Sequence, residues 1–149
     1  MLEEGIPHSE SIPWMMRNLP DLGWYNGVVA IDGIRHPAAD ESMEELFPSS
    51  ILVFCDCPEK EIIRRVCKRD GVTEKEAKKF LGNQAEEDHR EYFLRKADFI
   101  ITPATDLKEV VKQIGLLLKS NGNSLVIGIA GRMGAGKSTF ANTLVEYLS

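Results

Sequence analysis

Apolar residues follow two rhythms along the chain. In four places they run almost unbroken: Gly27-Val28-Val29-Ala30-Ile31, Ile51-Leu52-Val53-Phe54-Cys55, Ala97-Asp98-Phe99-Ile100-Ile101 and Leu125-Val126-Ile127-Gly128-Ile129-Ala130. Runs of that length, rich in β-branched residues, are too short for helices and read as buried strands. Elsewhere the apolar positions recur at helical spacing. They predict a short acidic helix over 37–47 and a helix over 59–67 with Ile62, Ile63 and Val66 on its apolar side. A longer helix behind Asp106 turns Leu107, Val110, Val111, Ile114, Leu117 and Leu118 inward, and a last one covers 140–148. Strands alternating with helices predict an α/β fold with a mostly parallel sheet.

Breaks between these elements are chemically explicit. Pro48-Ser49-Ser50 ends the acidic helix, and Asp70-Gly71 stops the helix that begins at 59. Thr73 with Glu76 three residues later forms a capping box, so a helical hairpin is expected. Its second arm runs through Lys78, Phe80, Leu81 and Gln84 into the charged stretch 86–96, long enough to continue as helix. Residues 120–124, Ser-Asn-Gly-Asn-Ser, read as a flexible polar connection. Residues 1–26 are punctuated by Pro7, Pro13 and Pro20 and carry Ile12, Trp14, Met15, Met16 and Leu19 near the spacing of one short helix face. Packing is the expected role there, with ligand lining by Trp14 or Arg17 as the alternative. The 149 residues are read as one domain.

Charge and cysteine content narrow the class. A net charge of -5, with no basic face, leaves no nucleic-acid footprint. No apolar stretch approaches a membrane span, and the N-terminus is too acidic and proline-broken for a signal peptide, so a cytoplasmic protein is expected. Cys55, Cys57 and Cys67 lack metal-site spacing and make an odd count, which argues for small buried residues over a disulfide framework.

The chemistry centres on Gly131-Arg132-Met133-Gly134-Ala135-Gly136-Lys137-Ser138-Thr139, a G-x-x-x-x-G-K-S motif between a strand and a helix. That is the context of a phosphate-binding P-loop. Gly131, Gly134 and Gly136 let the backbone curl around the β-phosphate of ATP, with Met133 and Ala135 in the loop between them. Lys137 is expected to reach the β- and γ-phosphates, Ser138 to place its hydroxyl on Mg²⁺, and Thr139 to lie near the α-phosphate. Asp32 and Arg35 follow the first strand, at the carboxyl end where open α/β sheets bind ligands. Asp32 there is read as a Mg²⁺-organising residue and general base, or alternatively as a turn or cap residue. Arg65 and Arg69, four apart on one helix face, can converge on one polyanion, whereas Arg64 and Lys68 read as solvated charge.

The stretch Cys57-Pro58-Glu59 through Gln84, with Arg65 and Lys68-Arg69-Asp70-Gly71-Val72-Thr73-Glu74-Lys75-Glu76-Ala77, resembles the lid region of dephospho-CoA kinases. Residues 97–101 and 128–139 resemble that family's last strand and its P-loop strand. The resemblance implies a P-loop NTPase fold, a three-layer α/β/α sandwich with a helical lid, using ATP and Mg²⁺ to phosphorylate a small-molecule hydroxyl. It also implies that Lys137 and Ser138 hold phosphate and Mg²⁺ while Arg65 and Arg69 act catalytically from the lid. Relative to that family the order is permuted: the P-loop strand and helix come last, and the acceptor site is expected to be mostly absent or rebuilt. Such a chain is expected to place its P-loop strand between the strands at 27–31 and 51–55. A fragment of two tandem kinase units, assembling as a domain-swapped homo-oligomer, is the other reading of this order, and an ATP-binding regulatory or assembly module the other reading of function.

Overall fold

A computed structural model describes residues 28–82, 89–132 and 134–148. The readings of Trp14 and Arg17, of Gln84 and of Met133 lie outside the described residues. The elements run β1 (Val28–Ile34), α1 (Pro37–Leu46), β2 (Ser50–Cys55), α2 (Glu59–Asp70), α3 (Glu74–Gly82), α4 (Arg90–Lys96), β3 (Phe99–Ile101), α5 (Leu107–Ser120), β4 (Leu125–Gly131) and α6 (Lys137–Leu148). The fold is α/β, and its four strands form a parallel sheet in the order β1-β4-β2-β3.

The last strand thus lies between the first two. β4 pairs with β1 from Leu125 to Ala130 and with β2 from Val126 to Gly131, and all seven of its residues are buried. A strand flanked on both edges and covered on both faces has no position where a polar side chain could reach water, which is why 125–131 carries none. Alternation along β2 separates two cores. Ile51, Val53 and Cys55 join Ile62 and Val66 of α2, Leu81 of α3, Ile114 of α5, and Phe140 and Leu144 of α6. Leu52 and Phe54 point the other way, to Met43 of α1 and Phe93 of α4. Gly128 is small because Met43 crosses it: a Cβ there would meet the Met43 sulfur at 2.7 Å.

β1 departs from expectation. It is an edge strand among the described residues, with Ala30 and Asp32 exposed and Val28, Val29 and Ile31 only half-buried. Its apolar run looked like a doubly covered strand, but an edge strand of a parallel sheet carries the same residue types. It also continues to Ile34, so Asp32 and Gly33 belong to the strand, where the register with β4 slips between Asp32 and Ile34. Gly33, at φ +85°, provides the left-handed residue that such a bulge uses, so Asp32 is neither turn nor cap.

The helical hairpin forms as its caps require. Gly71 takes the left-handed conformation at φ +66° and donates its N–H to Cys67, while Thr73 and Glu76 bond reciprocally at 2.8 and 3.3 Å. The described part of the second arm runs to Gly82, and α4 covers Arg90–Lys96. β3 is shorter than the run 97–101: at its start Asp98 donates its N–H to the Leu52 carbonyl at 2.8 Å, while the Leu52 N–H donates to the Asp98 carboxylate at 2.8 Å. Residues 120–124 are a tight helix end, not a loose connection. Asn123 at φ +64° donates its N–H to Leu118 at 2.9 Å. No described helix is long and apolar enough to cross a membrane.

Candidate functional site

The loop after β4 is shaped by its glycines. Gly131, Gly134 and Gly136 have φ of +144°, +80° and +103°, a region that side chains disfavour. Space adds to this at two of them: a Cβ on Gly131 would clash with the Cys55 carbonyl oxygen at 2.7 Å, and one on Gly134 would crowd Ile62 at 3.2 Å. The loop is therefore pressed between the end of β2 and the flank of α2. Ala135 is buried and donates its N–H to Arg132, and α6 starts at Lys137 with Phe140 bonded back to Gly136. Lys137 is half-buried; Ser138 and Thr139 are exposed on the first turn.

Around this turn opens a cavity of about 580 Å³. Residues 134–139 form one side, and Arg35, Arg65, Arg69, Thr102 and Thr105 stand around it. Four cationic side chains line it, and no described lining residue is acidic. A helix N-terminus within such a ring attracts anions through its free N–H groups and its dipole. Arg65 is anchored from two sides: Nε donates to Glu61 at 3.1 Å and Nη1 to the Gly134 carbonyl at 3.3 Å. Arg69 lines the same cavity, but its guanidinium is engaged by Asp70 at 2.8 and 3.0 Å. Convergence of the pair on one anion therefore needs Arg69 to leave Asp70. Arg64 is exposed and bonds Glu61 at 2.6 and 2.9 Å; this contact, with that of Arg65, holds the Glu61 carboxyl down to about 2. Lys68 is exposed.

A second cavity, about 620 Å³, lies beyond Ala135 at the carboxyl ends of the strands. Ile34, Phe54, Pro58, Ile62 and Phe93 give it apolar walls, and it meets the first cavity at Arg35, Thr102, Pro103 and Ala135. On its wall, Asp56 accepts two bonds from Arg90, at 3.0 and 2.8 Å. Cys55 and Cys57 border it as buried free thiols, and burial pushes the Cys55 thiol up to about 12, opposed by the charge of Lys137 and assisted by that of Asp32. Cys67 is half-buried and free.

The loop glycines, Ala135, Lys137, Ser138, Thr139, Arg65 and Arg69 are thus brought to one place or its immediate wall. Asp32 lines neither cavity, although its charge and that of Lys137 both reach Cys55. Arg35 stands at the junction of both cavities, where its position after β1 put it. The Asp56–Arg90 pair had no such pointer: Asp56 ends a strand, but Arg90 is 34 residues away and only folding makes them partners. Among the described residues no three or more His, Cys, Asp or Glu gather as a metal-binding group. Comparison with family models, with curated proteins and with solved structures finds no match.

Proposed function

We propose that the chain is an ATP-dependent phosphotransferase of the P-loop kinase type, with its strand order permuted, acting on a small-molecule hydroxyl. The observation carrying this reading is the loop of three positive-φ glycines entering α6 inside a cavity lined by Arg35, Arg65, Arg69 and Lys137. ATP phosphates would lie along the loop N–H groups, with Lys137 toward the β- and γ-phosphates. Ser138 would supply a hydroxyl to Mg²⁺, whose role is to neutralise charge on the phosphate oxygens. Arg65 would stabilise charge spread over the transferred group. The second cavity, reached past Arg35 and Ala135, would hold the acceptor against its apolar wall. Asp56, on that wall, is paired with Arg90, and Asp32, the proton acceptor expected from its place after the first strand, lines neither cavity.

A regulatory ATP-binding module is the second reading. It is favoured by Asp32 lying on an exposed edge strand outside both cavities, and by Arg69 being held by Asp70. An assay of ATP consumption with dephospho-CoA, nucleosides and nucleoside monophosphates separates the two. Acceptor-dependent turnover is the expected result; ATP binding without turnover on any acceptor would leave only the module.

A further inference from the structure

Arg65 is the one lid arginine already turned toward the glycine-rich loop, and the reason lies behind it. Arg65 shares the loop cavity with Arg35, Arg69 and Lys137, and no described residue that lines it is acidic, so the orientation of the Arg65 guanidinium depends on what holds it from behind. Glu61 sits one helical turn before Arg65, and its Oε1 accepts from Arg65 Nε while Gly134 accepts from Nη1. These two bonds fix the plane of the guanidinium, and Nη2 takes part in neither. A rigid fork held at two nitrogens loses little further freedom when it meets an anion.

We infer that Glu61 is a positioning residue for phosphate recognition: it holds Arg65 against the loop so that the guanidinium meets a nucleotide phosphate in a preset orientation. The inference rests on the nucleotide reading of the cavity, and not on the presence of an acceptor site. The bland alternative is a helix-surface ion pair, since Glu61 also bonds Arg64, which is largely exposed and lines neither the loop cavity nor its junction. Such a pair would influence stability slightly and ligand binding not at all. Two features favour the positioning role. Arg65 is the less exposed partner, at 35% against 62% for Arg64, and α2 cannot swing away freely because Ile62 and Val66 are buried beneath the loop.

The test is a double-mutant cycle on the full chain, reading the Kd of the non-hydrolysable ATP analogue AMP-PNP with Mg²⁺. Glu61→Gln is expected to weaken binding about tenfold, Glu61→Asp to recover part of it, and Arg64→Ala to change it less than about twofold. On an Arg65→Ala background, Glu61→Gln should add nothing. Effects of Glu61→Gln and Arg65→Ala that multiply, or a Glu61→Gln Kd within about twofold of the unmutated chain, overturn the inference. Urea midpoints of each variant exclude a folding defect as the cause. An unmutated chain that binds AMP-PNP yet phosphorylates no acceptor sinks the kinase reading while the cycle stays readable; one that binds no nucleotide overturns both.

Discussion

The two cavities share a wall at Arg35 and Ala135 and differ in almost everything else. The loop cavity is ringed by four cations and a helix N-terminus; the second has an apolar wall of Ile34, Phe54 and Phe93 beside the Asp56–Arg90 pair, with Arg35, Glu59 and Arg132 also on its lining. Two of the loop cavity's cations, Arg65 and Arg69, are held by carboxylates outside the lining, Glu61 and Asp70, and the ring with its helix N-terminus suits an anion. An apolar wall with a closed ion pair suits the uncharged body of a ligand. Under the proposed function, phosphate affinity and acceptor choice would be altered separately through residues that line only one cavity, Lys137, Arg65 and Arg69 for the phosphates and Phe54, Asp56 and Arg90 for the acceptor, while α2 contributes to both.

The heaviest blow to that arrangement is Gly131→Val. A branched side chain at φ +144° and against the Cys55 carbonyl forces the loop off β2, and a loss of about 2–5 kcal/mol in urea unfolding is expected. Next comes Lys137→Ala, which should weaken ATP about ten- to hundredfold in a binding titration, the worth of one charge-assisted phosphate contact. Asp56→Ala tests the separation directly: ATP affinity should stay within about twofold while acceptor-dependent turnover drops roughly tenfold. If ATP binding falls instead, the cavities act as one.

The smallest expected effect concerns the layer that carries Phe93 and Arg90. Asp40 of α1 is wholly buried against Tyr92 of α4, whose hydroxyl donates to Oδ2 at 2.7 Å while Oδ1 has no hydrogen-bond partner. Burial raises the Asp40 carboxyl above its ordinary 3.8, with the Tyr92 bond opposing and Glu44 assisting. The native state then keeps a proton that the unfolded chain releases, so stability falls as pH rises from 3.8 through the raised value. Asp40→Asn should flatten that slope in urea midpoints between pH 4 and 7, and cost little stability at neutral pH.

Much of this molecule was legible from pattern. Asp106 bonds the Lys108 N–H at 3.1 Å as a cap should, Thr73 and Glu76 form their box, and the β4 run is as buried as its composition required. These depend on neighbours within a few residues, where spacing and chemistry suffice. The place of the last strand between the first two is the one that the resemblance, in permuted order, implied.

Pattern failed where partners are distant. Whether 28–34 is an edge or a central strand depends on what lies beside it, and an apolar run reads the same in both cases. The turn at 120–124 has the composition of a linker, yet two left-handed residues fold it into a helix cap.

By itself the sequence determined the loop: three glycines, a lysine and a hydroxyl between a strand and a helix, because that geometry is local and each residue answers a local steric or electrostatic demand. Tertiary structure alone decided its surroundings. It set Arg65 between Glu61 and Gly134, tied Arg69 to Asp70, closed Asp56 onto Arg90 and left Asp32 outside both cavities. The direction of a long charged side chain is fixed by the charges that folding brings near it, and spacing along the chain carries little of that information.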